Sequence, residues 1–423
     1  MAGLHTQVPL TTTTETPDLD DSPVVQPRHF GLAVVALAMG GFAIGTTEFV
    51  TMGLLPQIAR GVDVSIPTGG HVISAYALGV VVGAPVLAFV GARLPRRALL
   101  VALMVAFAVG NAASALATSY GALMAARFAA GLPHGAYFGV ASLLAASMAS
   151  PARRGRAVAA VILGLSVANV VGVPAATWLG QTLGWRSAFW VVTALGVLTL
   201  ALVLAFVPSC PGDTQTSGRR ELSAFRLPQV WLTLLAGAIG FGGMFAVYTY
   251  IAPTVTDVGG LSDSAVPVFL LSFGLGMVAG TWVAGIMADW SIFRSLLIGS
   301  AGMGATLVLF WLTAPAGWLA LPVVFLITVL GSILVINLQL RLMDVAGDAQ
   351  TLGAAMNHAS LNVANALGAW LGGLVIAAGL GYRAPALVGV ALSLLGFLVL
   401  VVSALAHRRN TMSTSPAPIG TSA

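Results

Sequence analysis

From residue 30 to residue 405 the chain is a succession of long apolar runs separated by short polar or arginine-bearing joints. A helix needs about 20 apolar residues to cross a bilayer core. Twelve segments meet that requirement: 30–56, 68–90, 98–117, 119–149, 156–180, 186–207, 229–252, 264–288, 294–313, 317–340, 350–378 and 383–405. Segments 3 and 4 are parted only around Thr118, Ser119 and Tyr120. Period-two alternation is absent and the runs exceed the length of barrel strands, so the expected class is all-α integral membrane. Residues 1–29 are Thr-rich, acidic and polar, and read as a disordered tail. They carry no basic stretch leading into a short apolar core, so no removable signal peptide is expected. Residues 407–423 form a second polar tail.

Composition points the same way. Hydrophobic residues make up 58% of the 423 and charged residues 7%, against about 25% charged in soluble globular domains. An ordinary water-soluble enzyme is excluded. The net charge is +5, but the basic residues are scattered between apolar runs, with no face to follow a phosphate backbone, so no nucleic-acid partner is expected. All 18 basic residues are arginine. Without lysine there is neither a Walker A loop nor a pyridoxal Schiff base. A single cysteine, Cys210, leaves no disulfide framework within the chain, Cys-rich zinc site or c-type haem attachment. No cofactor and no metal site is expected.

Arginine also sets the expected orientation, because positive charge stays cytoplasmic. With the N-terminus inside, cytoplasmic loops and tails hold fourteen arginines: 28, 93, 96, 97, 153, 154, 156, 219, 220, 226, 294, 341, 408 and 409. The opposite side holds Arg60, Arg186 and Arg383, and Arg127 lies within segment 4. Both termini are therefore expected in the cytoplasm.

The chain repeats itself at an offset of 197. Leu183-Gly184-Trp185-Arg186 returns as Leu380-Gly381-Tyr382-Arg383, Pro56 pairs with Pro253, and Arg97 with Arg294. This predicts two six-helix bundles, residues 30–207 and 229–406, joined by a linker at 208–228. Six is even, so both halves enter the membrane in the same sense, related by a pseudo-two-fold axis along the membrane normal.

Two charges interrupt the apolar runs. Arg127 in segment 4 has one obvious partner, Glu48 in segment 1. At helical rise Glu48 lies ~15 Å and Arg127 ~12 Å from the non-cytoplasmic ends of their segments, so the depths match. A buried charge costs at least about 2.5–3.5 kcal/mol in hydrocarbon. The pair is either a proton-coupling site or a static ion pair tying two helices. A carboxyl group whose solvent exposure changes sides can load and release a proton. His134, two turns deeper than Arg127, either relays protons, touches substrate or packs with a hydrogen bond. Asn169, Asn337, Asn357, His358, Asn362 and Asn365 are polar groups inside spans, facing a cavity or neighbouring helices. Phe42, Tyr137 and Tyr248, with Tyr76, Phe138 and Tyr250, either line a pocket or pack. In segment 5 small residues recur every fourth position (Ala160, Gly164, Ala168, Gly172, Ala176, Gly180), a stripe suited to close helix contact, and Pro174 invites a kink.

Several of these patterns resemble those of the major facilitator superfamily. Arg93-Leu94-Pro95-Arg96-Arg97 is similar to its loop signature Gly-x-x-x-Asp-Arg-x-Gly-Arg-Arg, with Ala88, Ala92 and Pro95 where Gly, Asp and Gly are usual. The second copy keeps Gly285 and Asp289, with Arg294 following. The resemblance implies that these loops latch helices during the cycle, whereas the residues alone also fit plain positive-inside loops. Leu123-x-x-x-Arg127-x-x-x-Gly131 is similar to the second family motif. Gly164, Gly172, Pro174 and Gly180 resemble its antiporter motif, with Val173 between the usual Gly-Pro pair. Gly45-Thr46-Thr47-Glu48-Phe49 and Met52-Gly53-Leu54-Leu55-Pro56 resemble the opening of arabinose-efflux and chloramphenicol-resistance permeases, as does Gly184-Trp185-Arg186. The branch implies a twelve-helix drug:proton antiporter of the bacterial inner membrane, moving a small molecule at the expense of the proton gradient; a monomer is expected because both bundles needed for alternating access are present in one chain. An uptake carrier or facilitator for a sugar or metabolite remains open, as does a membrane-embedded enzyme, channel or sensor. No paired carboxylates or nucleophile–base set favours the enzyme.

Overall fold

In a computed structural model, residues 29–91, 94–150, 153–209, 226–346 and 350–413 are described. Arg93, most of both tails and most of the linker lie outside them. The described chain is helical throughout, as a span in lipid must be when no water is present to satisfy its backbone. Among the described residues, eleven segments are long and apolar enough to cross a membrane. One of them, of 54 residues, is two spans: it turns back through Ala314–Leu319, where Gly317 takes φ 59°. The spans number twelve: α1 Phe30–Gly53, α2 Ile66–Gly91, α3 Arg96–Leu116, α4 Tyr120–Met148, α5 Arg154–Leu183, α6 Arg186–Phe206, α7 Pro228–Thr249, α8 Val266–Trp290, α9 Ile292–Thr313, α10 Ala320–Val345, α11 Gln350–Val375 and α12 Ala384–Ser413. The narrow break between the third and fourth spans is real: Ala117 is extended, and Ser119 caps α4 by accepting from the Ala122 amide at 3.3 Å.

The repeat is legible in local chemistry. Gly184 and Gly381 both take positive φ, 89° and 74°. The arginine two residues later then reaches back to the end of the third helix of its own half. Arg186 Nη2 donates to Ala117 O at 2.8 Å, with its guanidinium 4.2 Å from the Trp185 ring centroid. Arg383 donates twice to Trp311 O, at 3.1 and 2.8 Å, and lies 4.5 Å from that residue's ring centroid. A cation at a helix C-terminus satisfies free carbonyls and complements the dipole.

Close approach inside each bundle is made by glycine. A Cβ on Gly83 or Gly131 would overlap a backbone carbonyl across the α2–α4 contact. On Gly243 of α7 a Cβ would overlap the Gly389 carbonyl of α12, and Gly240 and Gly396 of the same two helices approach Cα to Cα. Pro174 leaves no sharp break in α5. The turn before it, Ala168–Gly172, widens into a π-helix, which absorbs the missing backbone donor.

The halves meet where α2 packs on α11 and α5 on α8. Toward the face away from the clustered arginines, Ser74 Oγ donates to Ala366 O at 3.1 Å and Gln181 Nε2 to Asp263 O at 2.9 Å. Nearer the arginine-rich face, Phe138 of α4 stacks on His358 of α11, with centroids 5.9 Å apart and planes 2° from parallel. The halves thus touch toward both faces. Within the second bundle, a cavity between Met244, Tyr248, Phe273 and Val324 offers about 10 Å³, room for at most one water.

Candidate functional site

The charged centre lies where α1 meets α4, and α5 determines how α1 sits. The small-residue stripe faces α1 within its own bundle: a Cβ on Gly164 would overlap Ala38 O, one on Gly172 would overlap Thr46 Oγ1, and one on Gly180 would overlap the Leu54 side chain. This seats Thr46, Thr47 and Glu48 at fixed rotation. Glu48 is the sole buried carboxylate among the described residues, at 7% exposure, and Arg127 is fully enclosed.

The structure corrects the expected ion pair. Arg127 turns to Thr47: Nη1 donates to Thr47 Oγ1 at 2.9 Å and Nη2 to Thr47 O at 3.1 Å. The guanidinium lies 4.3 Å from the Tyr76 ring centroid and 5.3 Å from that of Phe189. Its Nε has no partner. The physical reason is helical rotation. Adjacent residues on a helix point about 100° apart, so the face that offers Thr47 to α4 turns Glu48 elsewhere. A hydroxyl and a carbonyl on one residue satisfy two arms of the planar guanidinium, and two aromatic faces supply further cation–π attraction. Glu48 makes no ion pair or hydrogen bond among the described residues. It remains within charge-interaction range of Arg127, of Tyr76 on α2 and of Tyr248 on α7 in the other bundle.

Two residues absent from the sequence-derived set complete this centre. Thr47 Oγ1 donates to Asn111 Oδ1 of α3 at 2.5 Å, and Asn111 Nδ2 donates to Phe107 O at 2.9 Å. Asn111 had a visible signal, an amide in the middle of an apolar segment. Thr47 had only its place in the Gly45–Phe49 pattern, which assigns it no partner, since threonines in helices commonly bond their own backbone.

Tyr76 joins the centre to His134, its hydroxyl 3.1 Å from His134 Nδ1. His134 lies 5.5 Å, centroid to centroid, from Phe138, whose ring also stacks on His358. The histidines of the two halves thus flank one phenylalanine. Tyr248 stacks on Phe273 at 3.6 Å and meets Phe49 at 5.7 Å, placing an aromatic cluster from both halves beside Glu48. Phe42 and Tyr137 lie elsewhere. Phe42 presses on Gly172, and the Tyr137 hydroxyl donates to Leu37 O at 2.9 Å within the first bundle's core.

The asparagines share a geometry. In Asn169, Asn337 and Asn362 the amide nitrogen donates to the carbonyl four residues back, at 3.0, 2.9 and 3.0 Å. That bond fixes the amide orientation and leaves each Oδ1 buried and unpartnered. Asn357 donates to Gln339 Oε1 at 3.4 Å and likewise leaves its Oδ1 free. Asn365 has neither amide atom paired. Buried polar groups are nearly always satisfied, so each of these free acceptors in α5, α10 and α11 is a candidate ligand-binding group.

Among the loop residues, Arg97 donates to Leu204 O at the end of α6, and Arg96 opens α3 half-buried. Gly285 and Asp289 are exposed, and Arg294 lies 5.0 Å from the Trp290 ring centroid. Arg341, expected in a loop, is instead 4% exposed, because α10 runs on to Val345. It pairs with Asp344 at 2.7 Å and lies 4.5 Å from the Phe293 ring centroid.

Residues 37–358 match the family model of the Major Facilitator Superfamily. The chain belongs to the Major Facilitator Superfamily. It is a multi-pass membrane transporter and not an enzyme. The inner membrane transport protein YdhP of Escherichia coli (strain K12) is 40% identical over 377 residues, 88% of this chain and 95% of that one. The chloramphenicol resistance protein of Streptomyces lividans is 35% identical over 395 residues, 92% and 98% of the two chains. These relatives place the transporter in the efflux-permease branch. A crystal structure of a D-xylose–proton symporter superimposes with a TM-score of 0.71 at 17% identity, covering 87% of this chain and 97% of that one. That likeness concerns the fold, two six-helix bundles.

Proposed function

We propose that the transporter is a proton-driven exporter of a small organic solute, acting as a monomer in a bacterial inner membrane with both termini in the cytoplasm. The observation that carries this reading is the placement of Glu48. It is a buried carboxyl group at the joint of the two bundles, next to Phe49, which meets Tyr248 of the opposite half, with the nearby Arg127 engaged on Thr47. A group at such a joint changes its solvent side when the bundles rock. Proton entry from outside neutralises the carboxyl, and opening toward the cytoplasm releases that proton as solute enters. One charge moving inward draws about 2.3 kcal/mol per 100 mV of membrane potential. The unpartnered amide oxygens of Asn169, Asn337, Asn357, Asn362 and Asn365 are the groups proposed to hold the solute. His134 and His358, on either side of Phe138, close the cytoplasmic route. A relative named for chloramphenicol resistance supports export.

The test is transport of a compound panel into inverted vesicles with a fluorescent pH readout. An exporter accumulates compound on acidification of the lumen and releases protons as it does so. Glu48→Gln is expected to abolish both. Full proton-coupled transport by E48Q would refute the assignment. A protonophore separates export from uptake, since intact cells would gain compound in the first case and lose it in the second.

A further inference from the structure

The hydrogen bonds around Thr47 form a directed chain across three helices. Asn111 Nδ2 is committed to Phe107 O, which orients the amide so that Oδ1 must accept. It accepts from Thr47 Oγ1, which consumes the hydroxyl proton. The lone pairs of Thr47 Oγ1 are then left to accept from Arg127 Nη1. A hydroxyl free to rotate would offer Arg127 an acceptor part of the time; one held by Asn111 offers it continuously. Asn111 and Thr47 are buried, as is Arg127, so water does not compete. Among the described residues, the titratable groups within electrostatic reach of Glu48 are Arg127 from α4, Tyr76 from α2 and Tyr248 from α7. None comes from α5, α6 or α8, which also pack on α1. Arg127 is the one cation among these groups, and its unpartnered Nε gives it a free donor for pairing with the carboxylate.

We propose that Asn111 is a positioning residue: acting through Thr47, it holds Arg127 off Glu48 in this arrangement and so sets when Glu48 binds its proton. The proposal rests on the proton-coupling reading of Glu48. Breaking the chain frees Arg127 to pair with Glu48. An arginine in contact stabilises a carboxylate by the equivalent of about 1–3 pH units.

The experiment reads Glu48 directly and needs no substrate. Dicyclohexylcarbodiimide reacts with protonated carboxyl groups in apolar surroundings and leaves a stable adduct. Labelling of Glu48 in the purified full-length transporter is followed by mass spectrometry from pH 5 to pH 9, with E48Q as blank. Asn111→Leu and the near-isosteric Thr47→Val are each expected to slow labelling at pH 7 about tenfold and to move the profile toward acid. Thr47→Ser keeps the hydroxyl and is expected to follow the wild type, which a merely structural role for this site would not require. Superimposable profiles for N111L, T47V and wild type would overturn the positioning role while leaving proton-coupled transport standing. Absence of labelling at any pH, together with normal coupling in E48Q, would overturn the underlying reading and this inference with it.

Discussion

Replacing Gly131 by alanine tests whether the charged centre depends on backbone contact between α2 and α4. Gly131 lies against the carbonyl of Tyr76, and a methyl group there would overlap Tyr76 O. Reaching van der Waals distance requires the helices to part by about 1 Å. Gly79 and Gly83 hold the same seam, against Phe128 O and Leu132 O, so a local tilt cannot relieve it. Overpacking of this kind costs about 1–3 kcal/mol. The displaced residue, Tyr76, is the one that covers Arg127 at 4.3 Å and reaches His134 at 3.1 Å. Function is therefore expected to fall along with stability. Gly139 is the internal control: it lies in the same helix, exposed, with nothing within 4 Å of an added Cβ. There alanine is expected to be neutral or to stabilise by up to about 1 kcal/mol, the ordinary helix-propensity gain. The assay is fluorescence-detected thermal unfolding in one detergent at one scan rate, since melting of such proteins is usually irreversible, with transport measured in parallel. If G131A and G139A melt and transport alike, the seam does not hold the centre.

Other expectations follow from the same geometry. Arg186→Ala and Arg383→Ala should each lower the melting temperature, since each strips the partner from helix-end carbonyls, a loss of about 1–3 kcal/mol; similar losses at two sites 197 residues apart would bear out the shared capping role. With Cys210 replaced by serine, cysteines at Ser74 and Ala366 should form an intramolecular disulfide that halts transport until reduced, read by mass spectrometry and vesicle uptake; failure to cross-link would contradict the contact between α2 and α11. Phe138→Ala should loosen the arginine-rich side by removing the ring between His134 and His358, measured as faster alkylation of a cysteine placed at Asn357. No change in that rate would show that the stack is not a barrier.

How much of this was legible beforehand differs from element to element. Span number depends on apolar length and was readable along the chain, including the narrow break at Ser119. The repeat was readable because Gly184 and Gly381 are needed at positive φ and the following arginines cap equivalent helix ends. The depth match of Glu48 and Arg127 was readable because helical rise is constant. Their pairing was not. Rise sets height, but the partner depends on rotation, and Thr47 and Glu48 point about 100° apart on neighbouring positions. That rotation is set by the glycine stripe of α5 pressing on α1, a contact between helices more than a hundred residues apart. The same limit explains Tyr137, which turned into its own bundle to bond Leu37, and Arg341, which one further turn of α10 drew beneath Phe293. Apolar length, charge count and periodicity are properties of a single line of residues and were settled by the sequence. Which side chain meets which is decided by ångström-scale contacts between helices, and those exist only once the bundles have packed.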